Sequence, residues 1–400
     1  MLEFKRMALV VLLLAAAAPA RAGDPVTVND TARFLAGMTP SANSPLAPLT
    51  QDPAWQHHAR FFDAAFGQLE ELQLSKIRAW AGANLAAPRP TMFYMFGGPD
   101  FLYADAFYSR ATTYVLSGPE PAGVVSDPSR LSADELYDGL YNVERSMNSI
   151  LNFSFFATPH TKKDRHRGEP SGILPILYVF LARSGKTIQD VGAVGLDENG
   201  AVHAANEDAG ANATRGVRII FAGSDGVERT LYYFSADLSN NGIAHGGFLK
   251  FCLTLAPGNS LLKNASYVLS SRNFTMVRDF LLANSATIIQ DDSGIPLANY
   301  DPSAWRFFPF GRYAGPIAKF PGKFQSKYAE LFQRSQPIDF SIGYRQRSLE
   351  SNLLLSVKVA PESPGLVEAM PADEPLQKKP RARRVRPQEF SPGSLWHLGR

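Results

Sequence analysis

Three times in this chain a short apolar run stops at a turn carrying aspartate, and that repetition restricts the fold more than any other feature. Ala286-Thr287-Ile288-Ile289 runs into Gln290-Asp291-Asp292-Ser293-Gly294, and Phe93-Tyr94-Met95-Phe96 runs into Gly97-Gly98-Pro99-Asp100. Leu231-Tyr232-Tyr233-Phe234 runs into Ser235-Ala236-Asp237. A strand apolar along its whole length reads as buried, as in a parallel sheet covered by helices. Such sheets place polar chemistry on the loops leaving their carboxyl ends.

The segments between these runs point the same way. A strand over Thr91–Phe96, a short helix over Asp100–Tyr108 and a second strand over Ala111–Leu116 make a β-α-β unit, which favours a parallel pair. Helical spacing extends from Trp55 to Ala81, and Ser132 with Glu135 forms a capping box for a further helix. The apolar run Ile173–Leu181 reads as part of a strand-rich middle. Val217–Ala222 and Arg229–Phe234 flank Gly223-Ser224-Asp225-Gly226 as an antiparallel hairpin. Helices over Phe248–Leu255, up to Leu282 from a cap at Asn273, and over Phe324–Phe332 precede a strand over Leu353–Val359. The expected fold is α/β: a single large domain, residues 53–360, with a mixed (part parallel, part antiparallel) central sheet flanked by helices.

The ends differ from this body. Lys5 and Arg6 precede an apolar run, Met7–Ala18, and Ala20-Arg21-Ala22 has the small-x-small pattern of a cleaved export signal over residues 1–22. Residues 23–52, rich in Pro, Ser, Thr and Asn, read as an extended N-terminal arm. Residues 361–400 lose all periodicity and carry Lys378-Lys379-Pro380-Arg381, a disordered Pro/basic tail. The location implied is periplasmic or secreted, after cleavage near Ala22, with no transmembrane segment thereafter. The formal charge of +3 shrinks to +1 without residues 1–22, and the tail accounts for +2, leaving the body near −1. A body so balanced is no polyanion binder, and nucleic acid is excluded as a partner. A single cysteine, Cys252, in an apolar segment, allows no internal disulfide and reads as a buried hydrophobe.

Candidate chemistry follows from the strand ends. If the strands are parallel neighbours, Asp100, Asp237, Asp291 and Asp292 leave one edge together, and carboxylates sharing a cleft raise one another's pKa or recruit a cation. The catalytic candidates are therefore Asp291, Asp292, Asp100 and Asp237. Asp291 and Asp292 would hold a divalent cation if one serves as cofactor. The competing account is that Asp at strand ends satisfies turn N–H groups. Trp305, Arg306 and Arg312 of an aromatic loop after Pro296, with Tyr103 and Lys263, are the substrate-binding candidates. Lys263 and Ser266 would share a helix face, a weak nucleophile signal unsupported by any Gly-x-Ser-x-Gly. The histidines form no zinc signature. A loop with His160, Lys162, Lys163, Arg165, His166 and Arg167 reads as an anion grip or a solvated linker. Phe96-Gly97-Gly98-Pro99-Asp100 with Glu120 after the next strand has Rossmann-like spacing. Gly-x-Gly-x-x-Gly is absent and Pro99 intrudes, so the topology is kept and the nucleotide or methyl-donor ligand is not.

Phe96–Tyr103 (FGGPDFLY), Tyr233–Asn240 (YFSADLSN) and Gln290–Pro296 (QDDSGIP) together resemble an uncharacterised family of exported bacterial proteins with no known activity, over about Trp55 to Val359. The resemblance implies a bacterial, extracytoplasmic setting and transfers no site. The function expected is a hydrolase-like enzyme of the cell envelope with a carboxylate site at strand ends. The alternative is a non-catalytic envelope protein binding a glycan, lipid or protein partner. The partner is an envelope component or a small-molecule or glycan ligand in either case.

Overall fold

In the computed structural model, residues 25–153, 172–204, 207, 209–210, 212–345 and 347–359 are described. The expected leader, the loop with His160 to Arg167 and the basic tail lie outside them.

Alternation along the central strands sets the layers. Met92 and Tyr94 of β1 (Thr91–Tyr94) face one way and Phe93 the other; Leu261 and Leu262 of β7 (Gly258–Leu262) divide likewise, as do Ile289 and Ile288 of β8 (Ser285–Gln290). Each set joins a separate apolar cluster, so both faces of the sheet are buried. The remaining strands are β2 (Thr113–Gly118), β3 (Thr187–Leu196), β4 (Val202–Ala204), β5 (Thr214–Ala222), β6 (Glu228–Ser235), β9 (Trp305–Gly311) and β10 (Asn352–Lys358).

Their order is β4-β3-β5-β6-β2-β1-β7-β8-β10-β9. β6, β2, β1, β7 and β8 run parallel. β5 pairs antiparallel with β6, and β3 with β5 and β4, on one side; β10 is antiparallel to β8 and β9 on the other. The sheet is therefore mixed, as its sequence implies, and it belongs to one α/β domain.

Helices α1 (Pro25–Leu35), α2 (Pro53–Leu69), α3 (Ser75–Asn84), α4 (Phe101–Phe107), α5 (Ala133–Phe153) and α6 (Leu174–Arg183) supply one cluster. α7 (Asn240–His245), α8 (Phe248–Thr254) and α9 (Thr275–Asn284) supply the other, and α10 (Ser326–Leu331) lies near β10. Chain order reverses between β1 and β7. β1 leads to β2 and β6 on one side, while β7 leads to β8 on the other. Two adjacent crossovers leaving in opposite directions open a crevice at the carboxyl ends of the strands.

Several local expectations hold. The capping box forms reciprocally, with Glu135 N–H donating to Ser132 Oγ at 3.3 Å and Ser132 N–H to Glu135 Oε2 at 2.9 Å. The long helical stretch is α2 and α3 joined by one π-turn, Glu70–Leu74. Cys252 is buried, and burial raises its thiol pKa well above the ordinary value.

Three expectations are corrected. The extended arm over residues 23–52 contains α1, which buries Ala32, Phe34 and Leu35. Ile188 N–H of β3 donates to Asn29 Oδ1 at 3.0 Å, and Trp55 Nε1–H donates to the Phe34 carbonyl at 3.1 Å. Tertiary burial overrides a composition rich in turn formers. Ile173–Leu181 is not a strand; it is most of α6, apolar all round because it is enclosed all round. An unbroken apolar run does not distinguish these cases by periodicity. The aromatic segment after Pro296 is not a loop over the sheet, since Trp305–Gly311 is the edge strand β9.

Candidate functional site

The four expected carboxylates all follow parallel strands, and the folding of each turn decides where they go. Asp100 ends the turn after β1 and caps α4, its Oδ1 accepting the Tyr103 N–H at 3.3 Å. The opposite oxygen accepts from Tyr94 Oη at 3.0 Å and lies 2.9 Å from Lys263 Nζ. Gly97 is required here because any Cβ would strike the Tyr94 ring folded over it, and Gly98 takes φ +57°. Lys263 is the first residue beyond β7, and its Nζ also sits 3.7 Å from the Tyr103 ring centroid. The Asp100 and Lys263 side chains are 2% and 1% exposed, so each charge depends on the other.

Asp291 and Asp292 stand immediately beyond β8 and turn to different neighbours. Asp291 Oδ1 accepts from Ser293 Oγ at 2.5 Å, and its Oδ2 accepts the Asn264 N–H at 3.4 Å. Burial, followed by the charge of Asp292, pushes its carboxyl up to about 7. Asp292 accepts from Tyr267 Oη at 2.6 Å and Asn352 Nδ2 at 3.0 Å. Burial raises its pKa too, against the lowering effect of those two donors and of Arg345. The Tyr94 hydroxyl is held far from ionisation by burial, then by Asp100, with a smaller contribution from Asp291. Asp100, Asp291 and Asp292 thus form one buried polar layer beneath the ends of β1, β7 and β8.

Above that layer lies a cavity of about 530 Å³ at the reversal point of the sheet. Its floor and walls come from the Gly97-Gly98 turn, Asp100, the end of β2 through Glu120, the end of β6 through Leu238, and residues 263–266. The strand ends are tied together. Gly98 N–H donates to the Ser117 carbonyl at 3.1 Å, and Ala236 N–H donates to the Gly118 carbonyl at 3.0 Å. Gly118 of β2 is in register with Ser235 of β6, so Glu120 and Asp237 leave neighbouring strands two residues further on. Glu120 is half-buried and Asp237 exposed, its Oδ1 accepting a turn N–H, that of Ser239 at 2.9 Å.

The wall after β7 is unusual. Asn264, Ser266 and Tyr267 have φ of +58°, +51° and +56°, a conformation costly for residues other than glycine. Tyr344 Oη donates to the Asn264 carbonyl at 3.0 Å while Asp291 holds its N–H, so the backbone there is fixed from both sides. Among the described residues, neither polar atom of the buried Asn264 carboxamide has a hydrogen-bond partner. Strain and an unsatisfied amide beside a cavity are features that folding alone does not favour.

Of the expected site residues, Asp100, Asp237 and Lys263 line the cavity. Asp291 and Asp292 lie behind its floor, and Tyr103 lies under Lys263. Trp305 is buried beneath Lys358 at the start of β9, while Arg306 and Arg312 are exposed on and just after that edge strand. None of these three lines the cavity. Lys263 and Ser266 do not act as a pair: no helix forms there, and Ser266 Oγ meets Tyr344 Oη at 2.8 Å. Among the described residues no three His, Cys, Asp or Glu side chains are grouped to hold a metal ion. The oxygens of Asp291 and Asp292 are instead occupied by protein donors. Glu120 and Asn264 are the residues that sequence reasoning did not place in the site.

The same geometry bears on nucleotides. In doubly wound sheets a phosphate sits at the helix start after the first strand. Here the carboxylate of Asp100 takes that seat. Comparisons with protein-family models, curated proteins and solved structures find no match. Among the described residues no helix is long and apolar enough to cross a membrane.

Proposed function

We propose that the protein is an exported, hydrolase-like enzyme acting on a small molecule held in the cavity at the reversal point. The observation that carries this is the convergence of Asp237, Glu120, Asp100 and Lys263, from four parallel strand ends, on one cavity. Asp237 and Glu120 are the carboxylates open to substrate. They stand two residues beyond a registered pair on adjacent strands, which places one for general-acid and the other for general-base work on a single substrate. The Asp100–Lys263 pair lies below and fixes the floor, and Asp291 positions the Asn264 wall.

A turnover screen over chromogenic esters, glycosides and amides tests the reading. Wild type is compared with Asp237→Asn, Glu120→Gln and, as a control away from the cavity, Arg306→Ala. Turnover lost in the first two and kept in the third is expected. No turnover of any substrate by the folded wild type would overturn the enzymatic reading and leave a small-molecule binder using the same cavity.

A further inference from the structure

The near-neutral sum of the body hides an uneven distribution of charge. From the start of β9 to the end of β10, residues 305–358 hold nine Lys and Arg against three Asp and Glu, a surplus of +6. Residues 23–360 sum to −1, so the rest of the body, −1 less +6, carries −7. Among the described residues none of those nine cations forms an ion pair.

The fold gathers much of this charge at one corner. β10 is antiparallel to both β8 and β9, so β9 runs with β8 and ends at the sheet edge where the cavity opens. There Arg312 N–H donates to the Ser351 carbonyl at 2.7 Å, and Ser351 Oγ donates to the Arg347 carbonyl at 3.0 Å. Ser335 Oγ donates to the Gly311 carbonyl at 2.5 Å, which brings Arg334 alongside. Arg345 Nη2 donates to the Gly315 carbonyl at 2.7 Å, and the Phe324 ring stacks on Tyr313, two residues earlier, at 5.8 Å between centroids. Arg312, Lys319, Lys327, Arg334 and Arg347 are exposed. So are two large apolar side chains of the same corner, Phe324 at 59% and Leu349 at 81%. Apolar side chains left in water mark an interaction surface, and their mixture with unpaired cations is the chemistry of an anionic membrane interface.

We propose that this corner, from Arg312 to Leu349, docks on an anionic bilayer surface, its lysines and arginines against the headgroups and Phe324 and Leu349 entering the interface. The inference is independent of the chemistry in the cavity. A soluble polyanion would use the cations and leave the two apolar side chains without a role, whereas a bilayer engages both. Each Lys or Arg close to such a surface strengthens binding about fivefold.

The native chain helps the test, because its single cysteine, Cys252, is buried. Ala318→Cys places one reactive thiol at the corner beside Lys319, and Ser109→Cys places one just before β2, at the opposite edge of the sheet; both positions are exposed. Each full-length variant is labelled with a polarity-sensitive dye. It is then titrated at low salt with vesicles of phosphatidylglycerol and phosphatidylcholine in equal parts, or of phosphatidylcholine alone. The expected result is a blue shift from position 318 and none from 109, with the anionic vesicles only. Arg312→Gln/Lys327→Gln should weaken that titration about 10-fold or more. Arg89→Gln/Arg110→Gln, exposed cations at the opposite edge, should leave it unchanged. Thermal melts verify that all these variants are folded. No shift at 318, an equal shift at both positions or with phosphatidylcholine alone, or an unchanged titration in the Arg312/Lys327 variant would overturn the proposal. A shift at 318 with heparin and none with vesicles would place a soluble polyanion at this corner and overturn the bilayer reading as well.

Discussion

Lys263 Nζ stands 2.9 Å from Asp100 Oδ2, and the two side chains are almost wholly shut off from water. One residue ends β1's turn and the other begins the exit from β7, so this pair fastens the reversal point of the sheet. Removing one charge leaves the other buried and unpaired. Lys263→Met is therefore expected to lose about 3–5 kcal/mol of stability. The double variant Asp100→Asn/Lys263→Met, in which Asn keeps an oxygen for the α4 cap, should regain much of that loss. Urea unfolding of the two single variants and the double variant measures the coupling. Additive losses would show that the pair does not act as a unit.

Asn264 offers a prediction of opposite sign. Glycine accepts φ +58° without strain and removes the orphaned carboxamide. Against this stands the extra freedom of glycine in the unfolded chain, about 0.4–1 kcal/mol. A buried polar group without a partner costs about 1–3 kcal/mol. Asn264→Gly should thus raise the melting temperature of the ligand-free protein. A fall would mean that the amide is satisfied in solution.

Asp291 should leave a signature in the pH dependence of stability. Its folded pKa of about 7 lies above the unfolded aspartate value of about 3.9. The native state therefore keeps a proton that the unfolded chain releases between those values. The stability this group contributes is complete below about pH 4 and disappears as pH rises to about 7. Asp291→Asn cannot titrate, so wild type should lose ground against it from pH 4 to 7 and run parallel above. Parallel curves across the whole range would place the Asp291 pKa near its ordinary value. The comparison uses slopes, since Asn also faces the Asn264 N–H less well.

Gly343 closes over the same carboxylate. Its φ is +72°, and an added Cβ would strike Asp291 Oδ2. Gly343→Ala should cost about 2 kcal/mol or more from the strained backbone and the displaced carboxylate together. Adding Asp291→Ala should return the steric part and not the backbone part. Thermal melts of the single and double variants separate the two.

The sheet was legible because its strands are apolar runs closed by Gly, Pro and Asp, a local signal. β1, β2, β6 and β8 all announce themselves this way, as does the β5–β6 hairpin. α6 was not legible, because a helix enclosed on every side has lost the periodicity by which helices are read. α1 depends on Phe34 meeting Trp55 and on Asn29 meeting β3, contacts that no window of sequence contains. The site divides along the same line. Asp100 and Asp237 follow from strand ends alone. Glu120 comes beside Asp237 only because β6 pairs with β2 as well as with its sequence neighbour β5. Adjacent carboxylates at 291 and 292 looked like the reactive centre. Whether such a turn faces a cavity or the protein depends on Asn264, Tyr267 and Asn352, which reach it from β7's exit and from β10.

The central claim, that small molecules bind at the reversal point, is tested most directly by a crystallographic fragment screen of residues 23–360. Equal numbers of amine, neutral and acidic fragments would be soaked. The account predicts bound fragments clustering between the Gly97-Gly98 turn, Glu120, Asp237 and Asn264. Fragments gathering elsewhere while this cavity holds only water would contradict it.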